Sequence, residues 1–233
     1  MRIGFISDAH GNAIALDACL KKIDEFKLDA IYFLGDAVGY FPGEVEVIEQ
    51  LRQRSILCQK GNHEAMLLGE LAFSTEKDSI YGISEARKRL TPSDWLTIRE
   101  WPDHRVVHVG GRKLLLAHAS PFDFWREYVY PDSDLSKFST LSYDAVFMGH
   151  THRPFIRTLG PMLVANVGSC GMPRDRGNLA GFAVYDVDSN TCEILRVSFS
   201  AEQLLKHFSG IGIPEPVRRC MERESADYVG RIL

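Results

Sequence analysis

Acidic residues, histidines and one asparagine stand in five short polar segments, and each segment directly follows an apolar run typical of a β-strand. Loops at the carboxyl ends of strands in a βαβ sheet gather at one rim, so we expect these side chains to lie close together. Carboxylates and imidazoles without a thiolate suit divalent ions of the first transition series. In chain order, the residues concerned are Asp8, His10, Asp36, Asn62, His63, His118, His150 and His152.

The number of donors indicates more than one metal ion. Eight nitrogen and oxygen donors exceed what one tetrahedral zinc ion accepts. They suit two cations that share a bridging carboxylate and lie roughly 3.5–4 Å apart. Asp8 and His10 are two residues apart, as are His150 and His152, which places each pair on one edge of an extended segment. The donor set favours manganese, iron or nickel, with zinc as an alternative.

Each segment by itself has an ordinary structural explanation. Asp8 with His10 could form a loop that caps a helix. Asp36 could be an acid in a turn, and Asn62 could belong to another turn. His118 could be a buried histidine that binds nothing. Their shared position at strand ends favours one joint site over five unrelated explanations.

The opening of the chain alternates strand-like and helix-like patterns, which predicts a parallel sheet covered by helices. Apolar side chains at helical spacing follow the first strand, and Asn12 stands where a helix cap is expected. The predicted strands are 3–7, 30–34 and 55–58, and the predicted helices are 13–26, 43–54 and 64–71.

Strands follow one another more closely in the second half of the chain. The dipeptide Gly110-Gly111 and residues 188–190 predict hairpin turns. Many strands, with helices at both ends of the chain, indicate two packed sheets covered by helices. The predicted helices are 79–90, 92–101, 201–208 and about 214–229, and the predicted strands are 104–109, 113–117, 145–148, 155–159, 163–167, 181–187 and 191–199.

The composition is that of a globular protein and argues against some classes of binding partner. It has 233 residues, 27 Lys plus Arg, 31 Asp plus Glu and a net charge of −4, which offers no basic surface for duplex nucleic acid. No apolar stretch approaches the roughly 18 residues of a membrane span, and no signal peptide is expected. Five cysteines without a CxxC pair argue against a disulfide framework and favour the cytoplasm. We predict one domain over residues 1–233.

The five segments resemble the signature of the calcineurin-like metallophosphoesterases, which is D-x-H, GD, GNH[DE], H and GHxH. Here the signature reads DAH at 8–10, GD at 35–36, GNHE at 61–64, His118 and GHTH at 149–152. Other stretches, such as HASP and NVGSCGMPRDR, are similar to the small bacterial and archaeal phosphodiesterase branch of that family. The resemblance implies an α/β fold, a four-layer αββα sandwich of two mixed β-sheets flanked by helices.

The resemblance also implies a role for each residue. The implied reaction is hydrolysis of a phosphoric ester by in-line attack of a metal-bound hydroxide. His63 would bind no metal; it would protonate the leaving oxygen or steady the transferring phosphoryl group. The first cation would be held by Asp8, His10, Asp36 and His152, and the second by Asn62, His118, His150 and the bridging Asp36.

Substrate selection should come from residues around the two cations. Tyr40 and Phe41 offer an aromatic surface, and Arg174, which follows a Gly-rich turn, could grip phosphate. Asn12 could contact the substrate phosphate, although a helix cap explains it equally well. These residues favour small phosphodiesters or nucleotides, including dinucleoside polyphosphates, over phosphomonoesters. Nothing in the sequence indicates an oligomeric state.

Three other functions fit the sequence less well. A non-catalytic interaction domain on the same fold would have lost ligands or the catalytic histidine, and all of them are retained here. A DNA nuclease would need extra domains and a basic stripe. In a serine/threonine protein phosphatase, V-D-R-G follows GD and Arg follows GNHE. Here the corresponding residues are Ala37-Val38-Gly39-Tyr40 and Ala65.

Overall fold

The computed structural model describes all 233 residues, and strands alternate with helices over the first part of the chain, as predicted. The strands are β1 (Arg2–Ile6), β2 (Ala30–Phe33), β3 (Leu57–Cys58), β4 (His104–Val109), β5 (Arg112–Ala117), β6 (Ala145–Met148), β7 (Phe155–Leu159), β8 (Met162–Asn166), β9 (Leu179–Asp186), β10 (Thr191–Ser198) and β11 (Arg231–Ile232). The helices are α1 (Ala13–Ile23), α2 (Glu44–Gln53), α3 (Asn62–Leu68), α4 (Thr75–Tyr81), α5 (Ile83–Arg89), α6 (Pro92–Glu100), α7 (Ala201–His207) and α8 (Glu215–Met221), with two 3-10 helices at Asp24–Phe26 and Ser136–Thr140.

The strands form two mixed sheets. The first sheet has six strands in the order β11-β10-β9-β1-β2-β3, with β1, β2 and β3 parallel and β9 antiparallel to β1. The second has five strands in the order β4-β5-β6-β8-β7. Its three central strands are parallel, and antiparallel strands close both edges. Two mixed sheets with eight helices confirm the predicted fold class.

The two sheets pack face to face through aromatic and aliphatic side chains. Phe5 of β1 stacks on Phe147 of β6 with ring centroids 4.0 Å apart, and Tyr185 of β9 meets Phe147 edge to face at 5.1 Å. All eight helices pack into a second core on the outer face of the first sheet. On the outer face of the second sheet, Phe138 of the second 3-10 helix and Val129 cover the strands.

Several helices end earlier than the sequence pattern predicts, and the two largest differences have a local cause. The predicted helix 79–90 is two helices, α4 and α5, because Gly82 adopts a left-handed φ of 67° and its N–H bonds to Asp78 O, a common way to end a helix. The last helix ends at Met221 because residues 223–225 instead pair with the loop 175–177. The short strand β11 was not predicted, since two residues give no periodic signal.

Both termini of the chain contribute to the first sheet. Strand β1 lies at its centre, while β10 and β11 from the C-terminal region form one edge. This connectivity supports a single domain over residues 1–233, which stays a prediction. None of the helices combines the length and the apolar composition that crossing a lipid bilayer requires.

Candidate metal centre

The loops that follow β1, β2, β3, β5 and β6 meet at one rim of the sandwich. Backbone hydrogen bonds join the first two loops, from His10 N to Asp36 O (2.9 Å), and the last two, from Gly149 N to His118 O (2.9 Å). The seven predicted ligands are only 0–6% exposed. The residues that converge are Asp8, His10, Asp36, Asn62, His118, His150 and His152.

Five of these residues adopt a left-handed backbone conformation, which is uncommon outside glycine, although Asn, Asp and His adopt it more often than other residues do. Each such residue costs about 1–2 kcal/mol relative to a right-handed one. Strain of this kind persists where the surrounding structure enforces it, most often at functional sites. The residues and their φ values are Asp8 (57°), His10 (50°), Asp36 (61°), His150 (66°) and His152 (57°). The segments that carry Asp8, His10, His150 and His152 are therefore not extended, contrary to what their spacing predicts.

One group of donor atoms consists of Asp8, His10 and His152. The two imidazole Nε2 atoms lie 3.0 Å apart. Asp8 Oδ1 lies 3.2 Å from His152 Nε2 and 3.7 Å from His10 Nε2. Two nitrogen lone pairs this close repel each other unless a proton or a cation lies between them. The group therefore fits a cation.

A second group consists of Asp36, His118 and His150. Asp36 Oδ2 lies 3.3 Å from His118 Nε2, and Asn62 Oδ1 lies 3.0 Å from the same nitrogen. The Nε2 atom of His150 is buried and has no hydrogen-bond partner, which is costly unless a ligand completes it. Asp36 Oδ2 is also 3.6 Å from His10 Nε2, so this oxygen lies between the two groups.

Backbone carbonyl oxygens hold three of the four imidazoles by their Nδ1 atoms. A carbonyl oxygen can only accept, so each Nδ1 carries a proton, and in the neutral ring Nε2 presents a lone pair to the centre. The three contacts are His10 Nδ1 to Val38 O (3.2 Å), His118 Nδ1 to Leu34 O (2.9 Å) and His152 Nδ1 to Met172 O (2.6 Å). This is the tautomer that a metal ligand requires.

Backbone N–H groups orient both carboxylates. Asp8 Oδ2 accepts from His150 N at 3.0 Å, and Asp36 Oδ1 accepts from His63 N at 2.8 Å. Gly61 allows the second contact, because a side chain at that position would collide with the Asp36 carboxylate. Glycine at this position of the GNH segment therefore allows the two loops to approach each other closely.

Burial and neighbouring ionisable groups shift the pKa values of the side chains in the site. Burial by itself raises the pKa values of Asp8 and Asp36, but the neighbouring imidazoles outweigh it and hold both pKa values well below the usual range. Although burial lowers the pKa of His118, the two carboxylates raise it to about 9. Burial lowers the pKa of His150 to about 3 and that of His152 to about 4, so both are neutral, the form that binds metal. The two buried carboxylates stay negatively charged, so the site favours the binding of cations.

His63 lies beside the centre in an aromatic environment. Its ring is 4.6 Å from His10, 5.0 Å from Tyr40 and 4.8 Å from Tyr81, measured between centroids. Neither ring nitrogen hydrogen-bonds to the protein, and Nδ1 is buried. Burial lowers the pKa of His63 to about 3, against the opposing charge of Asp36. His63 also forms a donor group with His10 and Asp36, both of which belong to the two groups above.

Glu64 has a larger role than the sequence indicated. The sequence pattern predicts that a helix begins at Glu64, and Glu64 does stand in the first turn of α3. Its buried carboxylate accepts hydrogen bonds from four backbone N–H groups of two loops. The donors are Asp36 N (2.8 Å), Ala37 N (2.8 Å), Val38 N (3.2 Å) and Gly61 N (2.8 Å). Glu64 thus fixes the loop that carries Asp36.

Replacing Glu64 with Ala should lower the free energy of unfolding by about 3–5 kcal/mol, because four buried donors lose their acceptor. Glu64→Gln keeps one acceptor oxygen and should lose less. Urea denaturation of both variants measures the difference from the changes in midpoint. An Ala variant within about 1 kcal/mol of the original protein would show that water replaces the carboxylate.

The residues predicted to contact substrate lie in different environments. Asn12 is fully buried: Oδ1 accepts from Ala15 N at 3.0 Å and Nδ2 donates to Gly171 O at 2.7 Å. The helix cap is therefore confirmed, whereas contact with substrate stays a prediction. Arg174 follows the Gly-rich loop, is half-buried and donates its backbone N–H to His152 O at 3.3 Å.

Two tyrosines reach the centre as well. The ring of Tyr128 lies 4.2 Å from that of His150, and that of Tyr40 lies 4.7 Å from that of His10. Tyr40 belongs to the aromatic surface that the sequence predicts beside the cations. Nothing in the sequence indicated Tyr81, which reaches His63 from the end of α4.

Comparisons with known proteins agree with this geometry. Residues 1–190 match the calcineurin-like phosphoesterase superfamily domain. An uncharacterized protein of Methanocaldococcus jannaschii is 29% identical over 233 residues, which cover 91% of this chain and 94% of that protein. The crystal structure of a metallophosphoesterase from Sphaerobacter thermophilus superposes with a TM-score of 0.79 and 25% identity, covering 95% of this chain and 98% of the other.

A third relative shares only part of its length with this chain. The symmetrical bis(5'-nucleosyl)-tetraphosphatase of an Acidovorax species is 35% identical over 103 residues, which are 42% of this chain and 36% of that protein. The match of the family domain covers most of the chain, and the His and Asp clusters supply donors for metal. The chain therefore belongs to the calcineurin-like phosphoesterase superfamily and is a metal-dependent phosphoric ester hydrolase.

Proposed function

We propose that the chain hydrolyses small phosphodiesters or nucleotides at a centre of two divalent cations. The main support for this proposal is the position of Asp36. Its Oδ2 atom lies 3.6 Å from His10 Nε2 and 3.3 Å from His118 Nε2, between two groups of donors. One carboxylate so placed can bridge two cations. The first cation would be held by Asp8, His10, Asp36 and His152, and the second by Asp36, Asn62, His118 and His150.

The protein's own groups perform defined tasks in this reaction. When bound, two divalent cations lower the pKa of the attacking water and stabilise the charge that develops on the phosphoryl oxygens. The left-handed loops and the carbonyl contacts to Nδ1 keep the ligands in place before substrate arrives. His63 stands beside the centre without a protein partner for its ring nitrogens. Its neutral ring can donate a hydrogen bond to the phosphoryl group; to protonate the leaving oxygen it must first gain a proton, which the negative charge of a bound phosphate would favour.

The preference for diesters and nucleotides has separate support. The partial relative from Acidovorax is named as a hydrolase of dinucleoside tetraphosphates. Tyr40 and Tyr128 place aromatic surface beside His10 and His150, where a base or another flat group could rest on it. Hydrolysis of phosphomonoesters would use less of this surface.

Metal reconstitution tests the proposal. We expect two metals per chain by elemental analysis, and we expect a chelator to abolish hydrolysis. Manganese, iron or nickel should restore it, with zinc as the alternative, because the donor set lacks thiolate. A panel of phosphomonoesters, phosphodiesters, cyclic nucleotides and dinucleoside polyphosphates then ranks the substrates. Full activity in chelator-treated protein that contains no metal would contradict the proposal.

A further inference from the structure

A pocket of about 360 Å³ opens beside the candidate metal centre. Three guanidinium groups line it, from Arg153, Arg174 and Arg223, and no Asp or Glu contributes to its wall. The chain as a whole carries a net charge of −4, so this concentration of positive charge is local. A concave surface lined by one sign of charge attracts ions of the opposite sign.

The three guanidinium groups lack carboxylate partners. Arg153 and Arg174 donate no side-chain hydrogen bond, and Arg223 donates one, to Arg174 O at 3.2 Å. Guanidinium groups without partners keep several donors available for the oxygens of a ligand. Seven of the other fifteen arginines of the chain form salt bridges with Asp or Glu, namely Arg52, Arg54, Arg89, Arg112, Arg196, Arg219 and Arg231.

The wall of this arginine pocket touches the metal ligands directly. Tyr40 belongs to the wall, and its ring lies 4.7 Å from that of His10. Met172 also belongs to it, and its carbonyl oxygen accepts from His152 Nδ1 at 2.6 Å. Arg153 follows His152 in the chain. An anion in the arginine pocket would therefore be a neighbour of the reacting phosphate.

Residues after the region matched by the family domain complete the arginine pocket. The match ends at residue 190, whereas Val217 and Cys220 of α8, and Arg223 just after it, form one side of the pocket. This side is held in place by backbone bonds between the segment 223–225 and the loop 175–177, one of them from Gly177 N to Arg223 O at 2.9 Å.

A buried ion pair fixes the loop that carries Arg174. Arg196 is 1% exposed and donates to both oxygens of Asp175, at 2.5 and 2.8 Å. The same guanidinium donates to Val229 O at 3.0 Å, which ties the C-terminal segment to this loop. Groups that are positioned before a ligand arrives lose less entropy when they bind it.

We propose that Arg153, Arg174 and Arg223 bind a further phosphate group of the substrate, beyond the one that is hydrolysed. The inference rests on the proposed phosphoesterase function and names its substrate class, which is esters of a phosphate chain. Guanidinium forks match the oxygens of phosphate in geometry and charge. Helix α8 and Arg223, which follow the region matched by the family domain, would thereby contribute to substrate selection.

Kinetics on two substrates test the proposal. For a dinucleoside tetraphosphate, Arg174→Ala, Arg153→Ala and Arg223→Ala should each raise KM by about 10- to 100-fold, the effect of one charge-assisted hydrogen bond. For bis(4-nitrophenyl) phosphate, which has a single phosphate, KM should change less than about threefold. The control is Arg218→Ala, because Arg218 is an exposed arginine of α8 that lies outside the arginine pocket. Equal effects on both substrates would overturn the proposal.

Binding of inorganic tripolyphosphate separates this proposal from the proposed function. Calorimetry should show that the three substitutions weaken binding of tripolyphosphate by about 10-fold or more each, whereas Arg218→Ala leaves it unchanged. Unchanged affinity in all three pocket variants would overturn the role of the arginine pocket, even if the enzyme hydrolyses diesters. Absence of hydrolysis with any metal would instead overturn the proposed function, even if tripolyphosphate binds through the arginines.

Discussion

Replacing Asp36 with Asn should remove the bound cations and, with them, the metal-dependent turnover. Asp36 Oδ2 lies between the two groups of donors, and its negative charge offsets the repulsion of two cations. The amide keeps an oxygen that accepts from His63 N, so the loop should fold normally. Loss of an outer contact to a metal ligand already lowers affinity by about 10- to 100-fold, and loss of a bridging ligand should lower it further.

Elemental analysis of the purified Asp36→Asn protein measures this loss directly. The matched control is Asp134→Asn, because Asp134 is an exposed aspartate whose carboxylate hydrogen-bonds only to Ser136. The control should keep two cations and full turnover. Thermal unfolding should show that both variants fold. If Asp36→Asn retains two cations with the original affinity, Asp36 does not bridge them.

The convergence of the candidate ligands could be predicted because each of them follows the end of a strand or a short turn after it. Asp8 directly follows β1 and Asp36 follows β2, and parallel strands bring their carboxyl ends to one rim. His118 follows β5, which pairs with β6 in the second sheet. The shared rim could be predicted from the position of every polar segment directly after a strand, although periodicity does not show how one sheet packs on another.

Contacts across long stretches of chain could not be predicted. The sequence places Glu64 at the start of a helix, but the loop that donates three of its four hydrogen bonds lies 26–28 residues away. Arg196 of β10 reaches Asp175 in the loop before β9, and each looks like an ordinary surface charge in the sequence. Pairing of this kind depends on tertiary structure, for which one sequence offers no periodic signal.

Local turn chemistry explains where the fold was predicted well or poorly. Gly110 and Gly111 both adopt positive φ, 55° and 76°, and form the predicted hairpin turn. Gly82, by contrast, stands inside an otherwise continuous helical pattern, and its left-handed conformation separates α4 from α5. A single glycine in a helix weakens it without deciding whether it ends, so the break could not be predicted from the sequence.

Replacing His63 with Ala should lower turnover by about 10²- to 10⁴-fold, the usual contribution of a positioned proton donor, while both cations stay bound. The ring of His63 holds no backbone group in place, and neither of its nitrogens bonds to the protein. The exposed His108 of β4 provides the control, and His108→Ala should match the original protein. Loss of both cations in His63→Ala, or unchanged turnover, would contradict the assignment.

The choice of leaving group separates the two roles open to His63. A proton donor matters most when the leaving oxygen is a strong base, as in an alkyl or nucleoside ester, and little for nitrophenolate, which departs without a proton. If His63 protonates the leaving oxygen, His63→Ala should slow a nucleoside diester by about 10²- to 10⁴-fold and a nitrophenyl diester far less. If it steadies the phosphoryl group, both esters should slow equally, and His63→Gln, which retains an N–H donor, should recover part of the loss for both.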